Sequence, residues 1–160
     1  MEPIFVPDSE QVRRWLNEGS TTNFVCEHCD GLHLTDLQQL DGVLDSRIFV
    51  ESDHLYITSE LEIRPTALLP MTIELSRMNV AFPHIKLFLE VTDESLPKLI
   101  IMDTLHTRAG VSFSQFRHFL LTTMETTRQL VTDCQEMGIL TYPDQGESEE
   151  DDESESVSLH

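Results

Sequence analysis

Two cysteines three residues apart and a nearby histidine form the most chemically distinctive segment of the chain. Cys26 and Cys29 follow a Cys-x-x-Cys pattern, and His33 lies four residues further on. This spacing lets two thiolates bind one Zn²⁺ ion, and the imidazole could supply a third ligand. The same thiols could instead form a reversible disulfide. The sequence therefore predicts a candidate metal site at Cys26, Cys29 and His33.

Three interpretations of this segment stay open at the level of sequence. A closed structural zinc site needs four ligands, but the third cysteine, Cys134, lies on the apolar stripe of a predicted helix. A thioredoxin-like pair needs its first thiol at a helix N-terminus, whereas residues 31–34 alternate as in a strand. Structural or incidental thiols are therefore the favoured interpretation, with a metal site and a redox pair as alternatives. No cofactor is predicted.

The other polar residues do not form a recognisable catalytic pattern. The seven histidines are scattered, and Glu60 and Glu62 lie near Asp45 on a strand face that we expect to be solvated. The sequence contains no dinucleotide-binding loop, Walker loop, H-E-x-x-H, EF-hand loop or G-x-S-x-G motif. These observations predict a protein that is not an enzyme.

The elements that must position these residues follow from hydrophobic periodicity. Strict alternation over residues 55–63 predicts one strand of a hairpin, and Leu44, Ile48 and Val50 are expected to face the core from the other strand. A three- and four-residue repeat over 68–78 predicts a helix, and 84–91 alternates like a strand. A longer helical stripe begins after a capping box at Ser112 and Gln115. This order predicts an α+β fold, a mainly antiparallel sheet with flanking helices.

The charge balance excludes several classes of partner. Asp and Glu total 29 against 10 Lys and Arg, for a formal net charge of −19. Such a chain repels phosphate backbones and anionic lipids, so no direct nucleic-acid or membrane binding is predicted. Three cysteines, an odd number, fit a reducing compartment, and the first residues lack a signal-peptide pattern. We therefore expect a cytoplasmic protein.

An abrupt change of composition marks a predicted domain boundary. Residues 144–160 contain many Asp and Glu and no Lys or Arg, and such a segment cannot bury enough apolar surface to order itself. The sequence therefore predicts a single α+β domain over 1–143 and an acidic disordered tail over 144–160.

Several segments of the chain resemble those of one bacterial family. The segments at 26–34 (CEHCDGLHL), 40–47 (LDGVLDSR) and 64–70 (RPTALLP) are similar to the YbjN family of enterobacterial proteins. Residues 96–99 (LPKL), Gly110 with Val111, Gln115 with Phe116, and the final Leu159 and His160 continue the similarity in order. Because it spans nearly the whole chain, the chain is identified as a member of this family, most like its AmyR-type members.

The resemblance implies a regulator rather than a catalyst. Family members are described as regulators of sensory transduction, are associated with negative control of exopolysaccharide production, motility and virulence, and carry no assigned catalytic residues. Their fold is similar to that of type III secretion chaperones, which implies an unidentified protein partner and a homodimer. The leading hypothesis is therefore a regulator that acts through protein contacts, with Tyr56, Thr58 and Phe119 as candidate contact residues. The alternative is a thiol- or zinc-dependent sensor that uses Cys26 and Cys29.

Overall fold

Eight strands and four helices make up residues 1–141, the part of the chain that the computed structural model describes. The strands are β1 (Ile4–Phe5), β2 (Asn23–Val25), β3 (Leu32–Leu34), β4 (Val43–Val50), β5 (His54–Glu62), β6 (Lys86–Glu90), β7 (Lys98–His106) and β8 (Val111–Ser112). The helices are α1 (Ser9–Glu18), α2 (Thr35–Gln38), α3 (Leu68–Ala81) and α4 (Phe113–Glu136), with a 3₁₀ turn at Pro65–Ala67. The tail predicted over 144–160 lies outside the described residues.

Six antiparallel strands form the main sheet, in the order β2-β3-β4-β5-β7-β6. Strands β1 and β8 pair with each other in a separate two-stranded sheet. The helices are inserted between runs of strands and do not alternate strictly with them. This arrangement confirms the prediction of an α+β fold with a mainly antiparallel sheet.

The helices pack on one face of the main sheet because that face carries the apolar residues of each strand. On β5, Leu55, Ile57 and Leu61 are fully buried, and residues from α1, α3 and α4 surround them. The buried residues form two clusters, and helix α4 is long enough to contribute to both. Phe116 belongs to the cluster that contains Leu55 and Ile57, and Leu130 belongs to the cluster that contains Leu61. The opposite face of the sheet carries charged side chains such as Arg47 and Glu60, together with the rings of Phe49 and Tyr56.

The start of α4 confirms the predicted capping box. The Ser112 hydroxyl accepts a hydrogen bond from the Gln115 backbone N–H at 3.1 Å, and the Gln115 side-chain oxygen accepts one from the Ser112 N–H at 2.8 Å. These two bonds satisfy donors that the first helical turn leaves without partners. The capping box therefore sets where the helix begins.

One predicted core residue is wrong, for a local reason. Leu44 is 46% exposed, because the β4–β5 register shifts between Val43 and Asp45 and takes Leu44 out of the alternation. Such an irregularity adds one residue to one strand and turns its side chain away from its expected face. Strand β6 is also shorter than the predicted strand over 84–91, since its pairing with β7 begins at Lys86.

Candidate functional site

The short hairpin at one edge of the main sheet positions the predicted thiols. Strands β2 and β3 pair from Asn23 with Leu34 to Val25 with Leu32, and the loop over 26–31 connects them. Cys26 and Cys29 lie in this loop, and His33 lies in the middle of β3. Because side chains alternate along a strand, His33 faces away from the core that receives Leu32 and Leu34.

The structure brings the three predicted ligands together in a nearly equilateral triangle. The sulfurs of Cys26 and Cys29 are 3.0 Å apart, and His33 Nε2 lies 3.1 Å from Cys26 Sγ and 3.2 Å from Cys29 Sγ. Within residues 1–141, this is the one group of three or more potential metal-ligating side chains whose ligand atoms lie within 4.8 Å of one another. Cys134 is buried in a core cluster and is not part of it.

Two oxygen acceptors fix the orientation of the His33 ring. Nδ1 lies 2.9 Å from Asp45 Oδ1 on β4 and 3.1 Å from Gln38 Oε1 on α2. Both atoms only accept hydrogen bonds, so Nδ1 carries the proton that it donates to them. The Phe24 ring stacks on the imidazole with the centroids 4.5 Å apart and the planes 6° from parallel. Nε2 is thereby held towards the two sulfurs.

The same contacts favour charge separation within the site. Hydrogen bonds from Cys29 and His33 lower the pKa of the Cys26 thiol to about 6. Burial opposes the charge on His33, but its hydrogen bonds with Cys26, Gln38 and Cys29 and the charge on Asp45 outweigh burial and raise its pKa to about 9. Near neutral pH the site therefore holds a thiolate beside an imidazolium.

A row of ion pairs begins at Asp45, next to His33, and ends at Lys98 on the polar face of the sheet. Arg47 Nε lies 3.2 Å from Asp45 Oδ2, and Arg47 Nη2 lies 3.3 Å from Glu60 Oε1. Glu60 Oε2 is in turn 3.6 Å from Lys98 Nζ. The expectation of a solvated face is therefore wrong for Glu60, whose side chain is 19% exposed and paired with two cations.

An open cleft of about 750 Å³ lies beside Cys29. Phe49 and Tyr56, whose stacked rings lie 5.1 Å apart, contribute aromatic surface, and Asp30 and Glu51 contribute carboxylates. Tyr56, predicted as a contact residue, thus lies close to the thiol site. The cleft gives the site direct access to solvent and to ligands.

Of the other two predicted contact residues, Thr58 lies on the same sheet face as Tyr56 and Phe119 does not. Thr58 is half-buried and pairs across the sheet with Arg47. Phe119 lies on α4, packs partly against the core and lines a different cleft. The structure therefore separates Phe119 from the two sheet residues.

Two parts of the site were missed by sequence reasoning. Asp45 was assigned to a solvated face near Glu60 and Glu62, and Gln38 lies in a helix that was not predicted. Asp45 reaches His33 because His33 pairs with Arg47 across β3 and β4, which makes Asp45 its diagonal neighbour. Only the register between β3 and β4 could have indicated that Asp45 lies beside His33.

Gly31 allows the thiol loop to approach β4. A Cβ atom at this position would lie 3.1 Å from Cβ and Cδ of Arg47 and from Cε1 of Phe49. We expect Gly31→Ala to push the loop away from β4 and to weaken Zn²⁺ binding about tenfold or more, in line with the cost of overpacking. Zinc titration by calorimetry measures this. Gly19→Ala is the control, because its nearest neighbour is the flexible end of Arg117, and an equal loss there would contradict the explanation.

The lowered pKa of Cys26 predicts an unusual pH profile for alkylation. Thiolate reacts and thiol does not, so the rate rises with pH through the thiol pKa, near about 6 for Cys26 instead of about 8.5 for an ordinary cysteine. Cys134 should stay unreactive, since burial raises its pKa to about 12. Iodoacetamide labelling of metal-free protein, followed by peptide mass spectrometry, measures both rates. A Cys26 midpoint above about 8 would contradict the proposed thiolate–imidazolium pair.

None of the helices within residues 1–141 combines the length and the apolar character that crossing a bilayer requires.

Comparison with known proteins places the chain among related sequences. The YbjN family model, described as "Putative bacterial sensory transduction regulator", matches residues 8–136. The uncharacterized protein YbjN of Escherichia coli (strain K12) is 31% identical over 134 residues, which cover 84% of this chain and 85% of that protein. The uncharacterized protein YbjN of Shigella flexneri gives the same values.

Solved structures agree with the sequence comparison. The crystal structure of YbjN from E. coli, described as a putative transcription regulator, matches with a TM-score of 0.84 and 30% identity, covering 88% of this chain and 99% of that one. An uncharacterized protein from Methanothermobacter thermautotrophicus has a TM-score of 0.53 and 14% identity over 80% of this chain and 96% of that one, and so shares the fold alone. Because the family model and the E. coli relative each cover most of the chain, the protein belongs to the YbjN family.

Proposed function

We propose that this protein is a non-enzymatic regulator whose input is Zn²⁺ bound by Cys26, Cys29 and His33. The observation that carries the proposal is the convergence of two sulfurs and His33 Nε2 within 3.2 Å of one another. Two soft thiolates and an imidazole form a donor set that suits zinc. The family description as a sensory transduction regulator supports a regulatory role for such a site.

The donor geometry fits zinc after a small expansion. With Zn–S of about 2.3 Å and Zn–N of about 2.0–2.1 Å, tetrahedral coordination separates two sulfurs by about 3.8 Å and a sulfur from a nitrogen by about 3.6 Å. The triangle has sides of 3.0, 3.1 and 3.2 Å, so the two sulfurs would need to separate by about 0.8 Å and His33 Nε2 would need to move about 0.4–0.5 Å further from each sulfur. Both cysteines lie in a half-exposed loop, which can make that adjustment.

The contact between His33 and Asp45 is the kind that supports a metal ligand. In zinc sites the ligating histidine usually donates its second N–H to a carboxylate or carbonyl, which fixes the tautomer and strengthens the ligand. Here Asp45 Oδ1 accepts from Nδ1 at 2.9 Å and leaves Nε2 for the metal. Zinc binding would displace the proton shared between Nε2 and the sulfurs, so the affinity should increase with pH.

Three protein ligands leave one coordination position for another molecule. Structural zinc sites usually have four protein ligands, and sites with three keep a position that exchanges. If a molecule in the cleft beside Cys29 supplied the fourth ligand, the fraction of protein with bound Zn²⁺ would depend on the concentration of that molecule, as a sensor requires. The output would be a protein contact on the adjacent sheet face, near Tyr56 and Thr58. Homodimer formation, a cytoplasmic location and control of exopolysaccharide or virulence traits belong to the same proposal.

A direct contact with nucleic acid is not part of the proposal. The net charge of −19 opposes phosphate binding, and α4 carries only Arg117 and Arg128 as basic residues. A role in transcription, as the description of the E. coli relative suggests for that protein, would then operate through a protein partner.

The short distance between the two sulfurs favours a second candidate, a redox sensor. A disulfide needs an S–S distance of about 2.05 Å, and the sulfurs are already 3.0 Å apart. Oxidation by a peroxide would join the two sulfurs, and the two protons and two electrons that leave the thiols would cleave the peroxide O–O bond to give two waters, or one water and one alcohol. The same residues would then respond to oxidant instead of metal.

Native mass spectrometry of protein that is freshly purified without added reductant distinguishes these candidates. The zinc proposal expects one Zn²⁺ ion per chain, retained in the Cys134→Ala control and lost on chelation with a return to free thiols. A metal-free protein that is two hydrogens lighter, with Cys26 joined to Cys29, would support the redox candidate and contradict the zinc proposal. A metal-free protein that keeps free thiols after incubation with zinc would contradict the zinc proposal too.

A further inference from the structure

A buried carboxylate interrupts the apolar face of β7. The inward-facing residues of this strand include Leu99 and Ile101, both essentially inaccessible, followed by Asp103, which is 9% exposed. Among residues 1–141, Asp103 is the one buried Asp or Glu. Burying a charge costs several kcal/mol unless it gains partners, and a leucine or valine would pack at this position without that cost. The carboxylate therefore calls for a functional explanation.

Two hydrogen-bond donors contact the buried carboxyl group of Asp103. The Thr123 hydroxyl on α4 donates to Oδ2 at 2.6 Å, and the Thr104 backbone N–H donates to Oδ1 at 2.9 Å. Burial raises the pKa of Asp103, while these hydrogen bonds and the nearby His84 oppose the increase. Each oxygen keeps a free lone pair, so the carboxylate can still accept from a ligand.

Asp103 lies in a cleft that the sheet itself creates. Strand β6 ends its pairing where Lys86 meets Met102, so β7 continues from Asp103 to His106 without a strand on that side. Helix α4 covers the resulting gap and leaves a cleft of about 550 Å³, a size typical of small-molecule sites. Leu105, Val111 and Phe119 give it an apolar wall.

The turn that closes this cleft has a demanding backbone. Gly110 has φ = +88°, a conformation that other residues rarely adopt, and a Cβ there would collide with the Ile4 side chain. The β1 strand therefore packs directly over the turn between β7 and β8. The contact between Ile4 and Gly110 fixes the position of the turn at this end of the cleft, so the cleft is part of the folded structure.

We propose that this cleft binds a small organic cation, a protonated amine with an apolar body, and that Asp103 is its counter-ion. No Lys or Arg is among the described residues that line the cleft, and the other titratable groups there are His84, His106 and His118. The net charge of −19 raises the local concentration of cations around the whole molecule. The apolar wall would receive the body of the amine, and the Phe119 ring could face its charge.

Three probes of similar shape and different charge test this assignment. The ¹⁵N-labelled full chain is titrated with phenethylamine, 2-phenylethanol and phenylacetate by NMR, at about pH 8 where imidazoles are mostly neutral. The amine should bind at least tenfold tighter than the alcohol and shift the amide signals of Thr104, Phe119 and Thr122. Equal affinity of amine and alcohol, tighter binding of phenylacetate, or no shift at millimolar concentrations would each overturn the proposal.

Two variants connect the charge preference to this cleft. Asp103→Asn keeps the size of the side chain and an acceptor for Thr123, and it should remove the preference for the amine. Thr122→Lys places a cation on the half-exposed rim and leaves Asp103 intact, so it should weaken amine binding even if Asp103→Asn fails to fold. An unchanged preference in a folded Asp103→Asn or in Thr122→Lys would contradict the assignment. Neither variant touches the thiol site, so zinc binding tests the other proposal independently.

Discussion

Replacing Cys26 and Cys29 together with serine is expected to lower the affinity for Zn²⁺ about ten-thousandfold. The binding free energy of Zn²⁺ at sites with four protein ligands is about 10–16 kcal/mol, which corresponds to about 3 kcal/mol per ligand. Losing two thiolates therefore costs about 6 kcal/mol, because a serine hydroxyl stays protonated and is a poor ligand. Competition with a chromogenic zinc chelator measures the affinity of both proteins.

The third cysteine provides the matched control for this variant. Cys134 is fully buried in a core cluster, away from the site, so Cys134→Ala should lower stability and leave zinc affinity unchanged. Zinc at about a hundred times its Kd should also raise the free energy of unfolding by about 2.7 kcal/mol in the wild type. A double Cys26→Ser, Cys29→Ser variant that keeps affinity within tenfold of the wild type would contradict the ligand assignment.

Asp45→Asn should weaken zinc binding about 10–100-fold, although Asp45 is not one of the three proposed ligands. Its carboxylate orients the His33 ring through Nδ1 at 2.9 Å and adds negative charge behind the ligand. Asparagine preserves the shape and can still accept the hydrogen bond, but it loses the charge that makes the imidazole a stronger donor. The same competition assay, repeated at several pH values, measures the effect.

Asp30→Asn separates a specific effect of Asp45 from a general effect of charge. Asp30 is adjacent to Cys29 and lines the cleft, but it is not part of the group of potential ligands. Removing its charge should change zinc affinity only slightly, since an exposed charge in water is well screened. An equal loss in Asp30→Asn and Asp45→Asn would show that Asp45 acts through net charge and not by orienting His33.

The three candidate ligands could be predicted from the sequence, whereas their environment could not. The spacing of Cys26, Cys29 and His33 is local, and a short hairpin brings such residues together without help from distant parts of the chain. Asp45 reaches His33 only through the β3–β4 register, and Gln38 only through the four-residue helix α2. Strand register depends on how whole strands pack, and helices this short have little sequence signal.

The pattern of apolar residues predicted most of the core and concealed one exception. Alternation over β5 identified Leu55, Ile57 and Leu61 as buried, because that period matches the geometry of a strand. The apolar run over β7 is typical of a strand that is covered on both sides, and Asp103 lies within this run. An acidic residue in such a run is itself a signal of a site, since burial of its charge must be offset by specific partners.

The position of the thiol site suggests how its state could reach a partner. Strand β2 is an edge strand of the main sheet, in which it pairs with β3 alone. Its position therefore depends strongly on the contacts between His33 and the loop over 26–31. The row of partly buried ion pairs from Asp45 through Arg47 and Glu60 to Lys98 lies on the same face. A metal at the hairpin would therefore alter a surface that a protein partner can contact.

X-ray absorption at the zinc edge tests the proposed Zn²⁺ site, because it identifies the atoms bound to the metal. For wild-type protein loaded with one equivalent of Zn²⁺, we expect two sulfurs at about 2.3 Å, one imidazole nitrogen at about 2.0–2.1 Å and one further light atom. His33→Ala should remove the imidazole contribution and keep both sulfurs. A first shell of oxygen and nitrogen without sulfur, or one of four sulfurs from two chains, would contradict the proposed site.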